Sequence, residues 1–139
     1  MKKLIVFVLA VSLLASCKKD EVCNQDMAGV SATYRITAVT YKANSTSAEQ
    51  DYYNQFFTDA CERDDLIILN SNGTYVFSDA GVPCSPPGDD NGTWSVSGNT
   101  ITIDGTASTV HSFDCDYLVI VETDVFILGD QIKLTLARQ

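Results

Sequence analysis

Five cysteines, one histidine and two runs of adjacent aspartates are the residues of this 139-residue chain whose types invite chemistry. Cysteine and histidine hold zinc when they recur at close, fixed spacings. Here Cys17, Cys23, Cys61, Cys84 and Cys115 form no C-x-x-C pair, and His111 is the only histidine. Paired carboxylates such as Asp64-Asp65 and Asp89-Asp90-Asn91 suit proton transfer or calcium. A calcium loop needs alternating oxygen ligands closed by a distant glutamate, which neither run has. Asp64-Asp65 is expected to end a helix and open a strand, and Asp89-Asp90 to form a solvated turn. His111 lies in phase with Thr109 and Phe113, close in sequence to Asp114 and Asp116. A catalytic histidine needs an orienting partner and usually a nucleophile. No G-x-S-x-G turn is present, so a solvated strand histidine is expected. The chain is read as non-enzymatic, with no catalytic residue, metal or cofactor.

Cys17 is different. It follows Leu14-Ala15-Ser16, which follow Met1-Lys2-Lys3 and an apolar run from Leu4 to Val11. A basic start, a short apolar stretch and small residues before a cut make an export signal. The run is too short to span a bilayer, which takes about 20 residues. Leu-Ala-Ser-Cys resembles a lipobox, the bacterial lipoprotein processing site. That resemblance implies cleavage before Cys17 and acylation of Cys17. The plainer alternative is an ordinary secretory signal with a chance cysteine. Each buried acyl methylene contributes about 0.8 kcal/mol, and two or three chains make attachment durable. Residues 1–16 are thus read as signal, 17–28 as a tether and 29–139 as the folded domain. Lys18-Lys19-Asp20-Glu21 follows the cysteine, and no aspartate stands directly after Cys17. A lysine followed by two acids resembles the surface-export signal of Bacteroidetes lipoproteins, although Lys18 stands where glutamine is common. The expected location is the outer membrane, extending to the cell surface, with the membrane a partner through lipid alone.

With Cys17 assigned to lipid, Cys23, Cys61, Cys84 and Cys115 remain, an even set in an oxidising compartment. Four cysteines allow three pairings, of which Cys61–Cys84 and Cys23–Cys115 are favoured. The first clips a helix end to a long loop, closing about 24 residues for roughly 3 kcal/mol of stabilisation. The second ties the tether to a distant hairpin. The chain carries a net charge of −9, and losing Lys2 and Lys3 leaves −11. That balance argues against nucleic acid, which selects basic patches, and against direct binding to an anionic membrane surface.

The elements that position these residues are mostly strands. Val30, Ala32, Tyr34, Ile36 and Ala38 alternate with Ser31, Thr33, Arg35 and Thr37, the period of a strand with one buried face. Ser47 and Gln50 have the spacing of a capping box. Tyr52, Tyr53, Phe56, Phe57 and Ala60 follow at helical spacing, predicting a helix over 48–59. Turn signals then recur every eight to twelve residues. They delimit strands over 65–70, 74–78, 93–97, 100–104, 107–113, 117–128 (bulged near Glu122-Thr123-Asp124) and 131–138. Residues 81–91 hold all three prolines and Cys84, an exposed loop. The sum is an all-β domain of eight strands with one short helix in the first connection. Short links force antiparallel neighbours. Closure into a small barrel removes the unpaired edges, and a sandwich is the alternative.

Several pieces then add up. Cys61-Glu62-Arg63-Asp64-Asp65, Asn72-Gly73-Thr74-Tyr75, Cys84, Gly92-Thr93-Trp94-Ser95 and the closing Ile132-Lys133-Leu134-Thr135-Leu136 resemble, over about residues 27–138, the lipocalin-like lipoproteins of Bacteroidetes. The resemblance implies an eight-stranded, lipocalin-like up-and-down barrel, mostly without assigned activity. The chain departs from true lipocalins, whose G-x-W lies in the first strand. Here Tyr34 occupies that strand, and the G-x-W is Gly92–Trp94.

A barrel of eight strands holds side chains or one small ligand. The candidate ligand-binding residues are Tyr34, Tyr52, Phe56 and Trp94. Trp94 either lines a cavity or plugs the barrel, and its size favours the plug. The aromatic helix face either seals the mouth as core or acts as a lid. Two functions follow: binding of a small apolar ligand, or a filled-barrel scaffold that contacts an envelope protein through the loop 81–92.

Overall fold

The computed structural model describes residues 23–139, so the signal, Cys17 and the Lys18–Glu21 segment lie outside the described residues. Among the described residues nine strands form one antiparallel sheet. They are β1 (Ala32–Lys42), β2 (Gln50–Asp51), β3 (Leu66–Leu69), β4 (Thr74–Ser78), β5 (Asp90–Ser97), β6 (Thr100–Ile103), β7 (Thr106–Phe113), β8 (Tyr117–Thr123) and β9 (Gln131–Arg138). β1 pairs with β3 on one side and β9 on the other, closing eight strands into a barrel. β2 is a two-residue addition to β1 that pairs Gln50 with Tyr41 and Asp51 with Thr40. The tight turns behave as their residues require. At Asn72-Gly73, Gly73 has φ +85°, and the Asn72 side chain accepts from the Thr74 N–H at 3.0 Å.

The two ends of the barrel differ. One carries the short turns β3–β4, β5–β6 and β7–β8, together with both termini of the domain. There α1 (Met27–Val30), capped by Asp26, lays Val30 into the core. Gln25 donates to the Gly98 carbonyl at 2.6 Å, and Cys23 is bonded to Cys115. Tyr34, fully buried, donates its hydroxyl to the Val30 carbonyl at 2.8 Å. This end is closed. The opposite end carries the long connections, residues 43–65, 79–89 and 124–130. The core runs along the barrel: Tyr34, Trp94, Ile101 and Leu118 pack in the closed half, and Val39 and Ile132 pack toward the opposite end.

Four expectations change. The helix over 48–59 is reduced to α2 (Tyr53–Phe56), followed by a 3₁₀ turn (Ala60–Arg63). The Tyr52 N–H bonds to the Val39 carbonyl at 2.8 Å, which draws the preceding residues into β2 instead of a helix. The capping box is built by Asp59 and Glu62, not by Ser47 and Gln50. In β1 a register shift falls between Ile36 and Ala38. Thr37 is the extra residue, so the inward phase moves from Tyr34 and Ile36 to Val39 and Tyr41. β8 ends at Thr123 rather than Leu128. The buried Asp130 carboxylate accepts from the N–H groups of Val125, Phe126 and Ile127 at 2.7, 3.0 and 3.0 Å, and folds that run into a loop.

A candidate binding cleft at the open end

The ladder between β1 and β3 holds only from Ala32 to Tyr34. Beyond it, Ile36 of β1, Ile67 of β3 and Phe77 of β4 line a gap whose inner space is only about 10 Å³, because Phe57 packs into it. Outward this gap widens into a cleft of about 250 Å³ lined by Phe56, Phe57, Glu62, Asp65, Phe77, Cys84, Pro86 and Gly88. One wall is α2 with the 3₁₀ turn, and the other is the proline-bearing loop 79–89.

The walls are fastened to each other. Cys61 in the 3₁₀ turn is bonded to Cys84 in the loop, with Cα atoms 5.3 Å apart. Asp64 accepts from the Val82 N–H at 3.0 Å, and Asp65 Oδ1 from the Ala80 N–H at 3.3 Å. From the loop side, Asp79 accepts from the N–H groups of Cys84 and Gly88 at 3.0 and 3.2 Å. Arg63 donates to the Phe57 carbonyl at 3.2 Å. Asp64-Asp65 thus does more than join a helix end to a strand: it ties down the loop across the cleft.

Asp65 is the buried polar group of this cleft, only 8% exposed. Burial pushes its carboxyl above the usual carboxylate range. The Ala80 N–H opposes that push, and the nearby Asp79, Asp64 and Glu62 add to it. The cleft therefore combines a three-phenylalanine wall with a desolvated carboxyl. Sequence reasoning missed Asp65 and Phe77 as cleft residues. The available signal was an aspartate opening an otherwise apolar strand.

The four aromatic candidates do not converge. Phe56 lines the cleft. Tyr52 stands apart from it, its ring 5.3 Å from Tyr41 and 6.0 Å from Phe126. Tyr34 and Trp94 are packed in the core, and Trp94 donates Nε1–H to the Asn70 carbonyl at 2.9 Å. Gly92 of the Gly92-Thr93-Trp94 motif has a local reason: a Cβ there would collide with the Asp104 carboxylate. That carboxylate accepts from the Thr93 N–H at 2.9 Å and from the Tyr75 hydroxyl at 2.7 Å.

Two other features lie outside the cleft. His111 is exposed beside the Val110/Ser112 register shift and borders an outer-face groove of about 170 Å³ with Lys42, Glu49 and Lys133, the last two ion-paired. Phe126 and Leu128, at the tip of the 124–129 loop, are 57% and 92% exposed. Among the described residues no group of three or more His, Cys, Asp or Glu is arranged to hold a metal ion.

No curated protein and no solved structure matches the chain. A family model described as a lipocalin-like domain matches residues 30–120. The span runs from Val30, at the closed end, through most of β8, and takes in both walls of the cleft. Lipocalin-like domains are generally a non-enzymatic binding fold, and a barrel with an open-end cleft fits a small-ligand role. With its closed barrel and matched span, the chain belongs to the lipocalin-like domain family.

Proposed function

We propose that this protein is a non-enzymatic, lipid-anchored lipocalin-like protein of the Bacteroidetes type. It binds a small, largely apolar ligand in the open-end cleft. The observation that carries this reading is the contrast between the two halves of the barrel. The closed half is filled by Tyr34, Trp94 and Leu118, while the open end keeps about 250 Å³ lined by Phe56, Phe57 and Phe77. Apolar concavity with a few polar groups is the usual form of a small-molecule site. The neutral fluorophore N-phenyl-1-naphthylamine should bind with enhanced emission, and Phe77→Ala should weaken it. An emission unchanged by the protein contradicts the reading.

The anchor gives the site an orientation. Cys17 stands six residues ahead of Cys23, which is fixed to Cys115 at the closed end. That tether reaches at most about 20 Å when extended. An acylated Cys17 then holds the closed end toward the membrane and turns the cleft outward, as a surface or periplasmic ligand binder requires. Mass spectrometry of the native N-terminus should show cleavage after Ser16 and acyl mass on Cys17. A free thiol there removes the anchor from the account.

A second reading, an interaction module, is favoured by the exposed apolar tip at Phe126 and Leu128. Contiguous exposed apolar surface marks protein contacts. This moves the expected contact from the loop 81–92 to the loop 124–129. A photocrosslinker at position 128 should then trap one envelope protein more efficiently than one at position 82. Equal or absent crosslinking at 128 sinks this reading.

A further inference from the structure

We infer that the open-end cleft selects a ligand whose apolar body carries a protonated amine, seated against the Asp65 carboxylate. The inference rests on the reading of the cleft as the ligand site. It begins with an incomplete set of bonds. Asp65 is 8% exposed, yet its Oδ1 accepts a single N–H at 3.3 Å, and its Oδ2 accepts no hydrogen bond among the described residues. A carboxylate carries about four lone-pair sites. Burying one with a single long bond is costly unless a partner completes it.

No such partner comes from the described residues. Arg63 borders the inner gap, but its guanidinium donates to the Phe57 carbonyl, and no ion pair joins it to Asp65 among the described residues. The other charged groups around the cleft are acidic. Glu62 lines it, while Asp64 and Asp79 stand close enough to act on Asp65 electrostatically. Asp64 Oδ1 is itself buried without a hydrogen bond among the described residues. An anion entering here would meet like charge, and a neutral apolar molecule would leave Asp65 unsatisfied. A cation satisfies it.

The rest of the lining suits the rest of such a ligand. Phe56, Phe57 and Phe77 offer ring surface, which attracts ammonium groups as well as apolar bodies. An apolar cavity of about 150 Å³ admits benzene. About 250 Å³ therefore accommodates one ring with a short aminoalkyl chain. The net charge of −9 raises the local concentration of cations at any such mouth.

Three near-isosteric probes test this on the mature full-length protein at neutral pH: 2-phenylethylamine, 2-phenylethanol and phenylacetate. Titration calorimetry should rank them ammonium, alcohol, carboxylate, with the ammonium about tenfold or more tighter than the alcohol. In Asp65→Asn, which keeps shape and an acceptor oxygen, the ammonium should lose its advantage over the alcohol. Equal binding of ammonium and alcohol to the wild-type protein overturns the inference and leaves the cleft standing as an apolar site. A preference that survives in Asp65→Asn also overturns it, because another group then recognises the charge. If none of the three binds, the ligand-site reading fails and this inference with it. The wild-type ranking needs no variant, so the test holds even if Asp65→Asn misfolds.

Discussion

The two disulfides should separate stability from binding, because they close loops of different length at opposite ends of the barrel. Cys61 and Cys84 are 23 residues apart in sequence, and Cys23 and Cys115 are 92 apart. In the chain-entropy model these separations correspond to about 3 and about 5 kcal/mol of lost stability when each pair is replaced by alanine. At roughly 4 °C per kcal/mol for a domain of this size, the melting temperature should fall by about 12 °C and about 20 °C respectively. Binding should rank the other way. Cys61–Cys84 joins the two walls of the cleft, and Cys84 itself lines it. Its loss lets the loop move away from the 3₁₀ turn and should weaken a neutral cleft probe by about tenfold, through lost preorganisation. Cys23–Cys115 fixes the closed end and does not line the cleft. Cys23→Ala/Cys115→Ala should therefore bind the probe with the wild-type constant at a temperature where it is folded. Paired urea titrations and fluorescence binding curves measure both quantities. A Cys61→Ala/Cys84→Ala protein with undiminished affinity refutes the role given to this disulfide. A larger stability loss from this pair than from the other refutes the loop-entropy argument.

Asp65→Asn should raise stability at neutral pH while it reduces amine binding. The folded carboxyl is held above its ordinary value, chiefly by burial. The destabilisation of its charged form is absent below the unfolded value, grows as pH rises from there to the folded one, and is complete above it. The gain from asparagine should follow the same course, and a gain that is largest at acid pH contradicts it. Trp94→Ala should cost about 3–5 kcal/mol in denaturant unfolding, as for a large side chain lost from a packed core. A loss under about 1 kcal/mol, within the range of surface changes, means that Trp94 does not plug the barrel. Asp130→Asn should release the 124–129 loop. Burial alone raises the Asp130 carboxyl, but the Ile127, Phe126 and Val125 N–H groups and the Tyr41 hydroxyl outweigh it, leaving it below the usual range. Amide exchange at those three residues should quicken in the variant. In the wild type the ordering is present above the unfolded value and lost as pH falls through the folded one.

The strand order was legible because turn chemistry is local. Asn72-Gly73, Gly98-Asn99 and Gly105 mark reversals without reference to anything distant, and the eight barrel strands follow from them. The inward phase of β9 was legible too, since Ile132, Leu134 and Leu136 alternate without interruption. What escaped depended on long-range partners. Nothing near Thr37 announces a bulge, which arises from pairing with β9 nearly a hundred residues later. The apolar run Val125–Leu128 reads as strand until the Asp130 carboxylate is seen to gather its N–H groups. Tyr53, Phe56 and Phe57 have helical spacing, but only one turn forms, because the strand pairing of Gln50 and Asp51 claims the chain just before it. The cleft was illegible for the same reason. Its residues come from the end of α2, the 3₁₀ turn, the residue just ahead of β3, β4 and the proline loop, and Asp65 becomes a site residue only when these surround it.

Chemical-shift mapping with 2-phenylethylamine on the isotopically labelled protein is the sharpest test of the cleft as an amine site. Saturable shifts are expected at Phe56, Phe57, Phe77, the Asp65 carboxyl carbon and the amides of Cys84, Ser85 and Gly88, with Tyr34, Trp94 and Leu118 in the core nearly unmoved. Shifts centred on Tyr34 and Trp94, or on His111 and Lys133 of the outer groove, or none at all, contradict it.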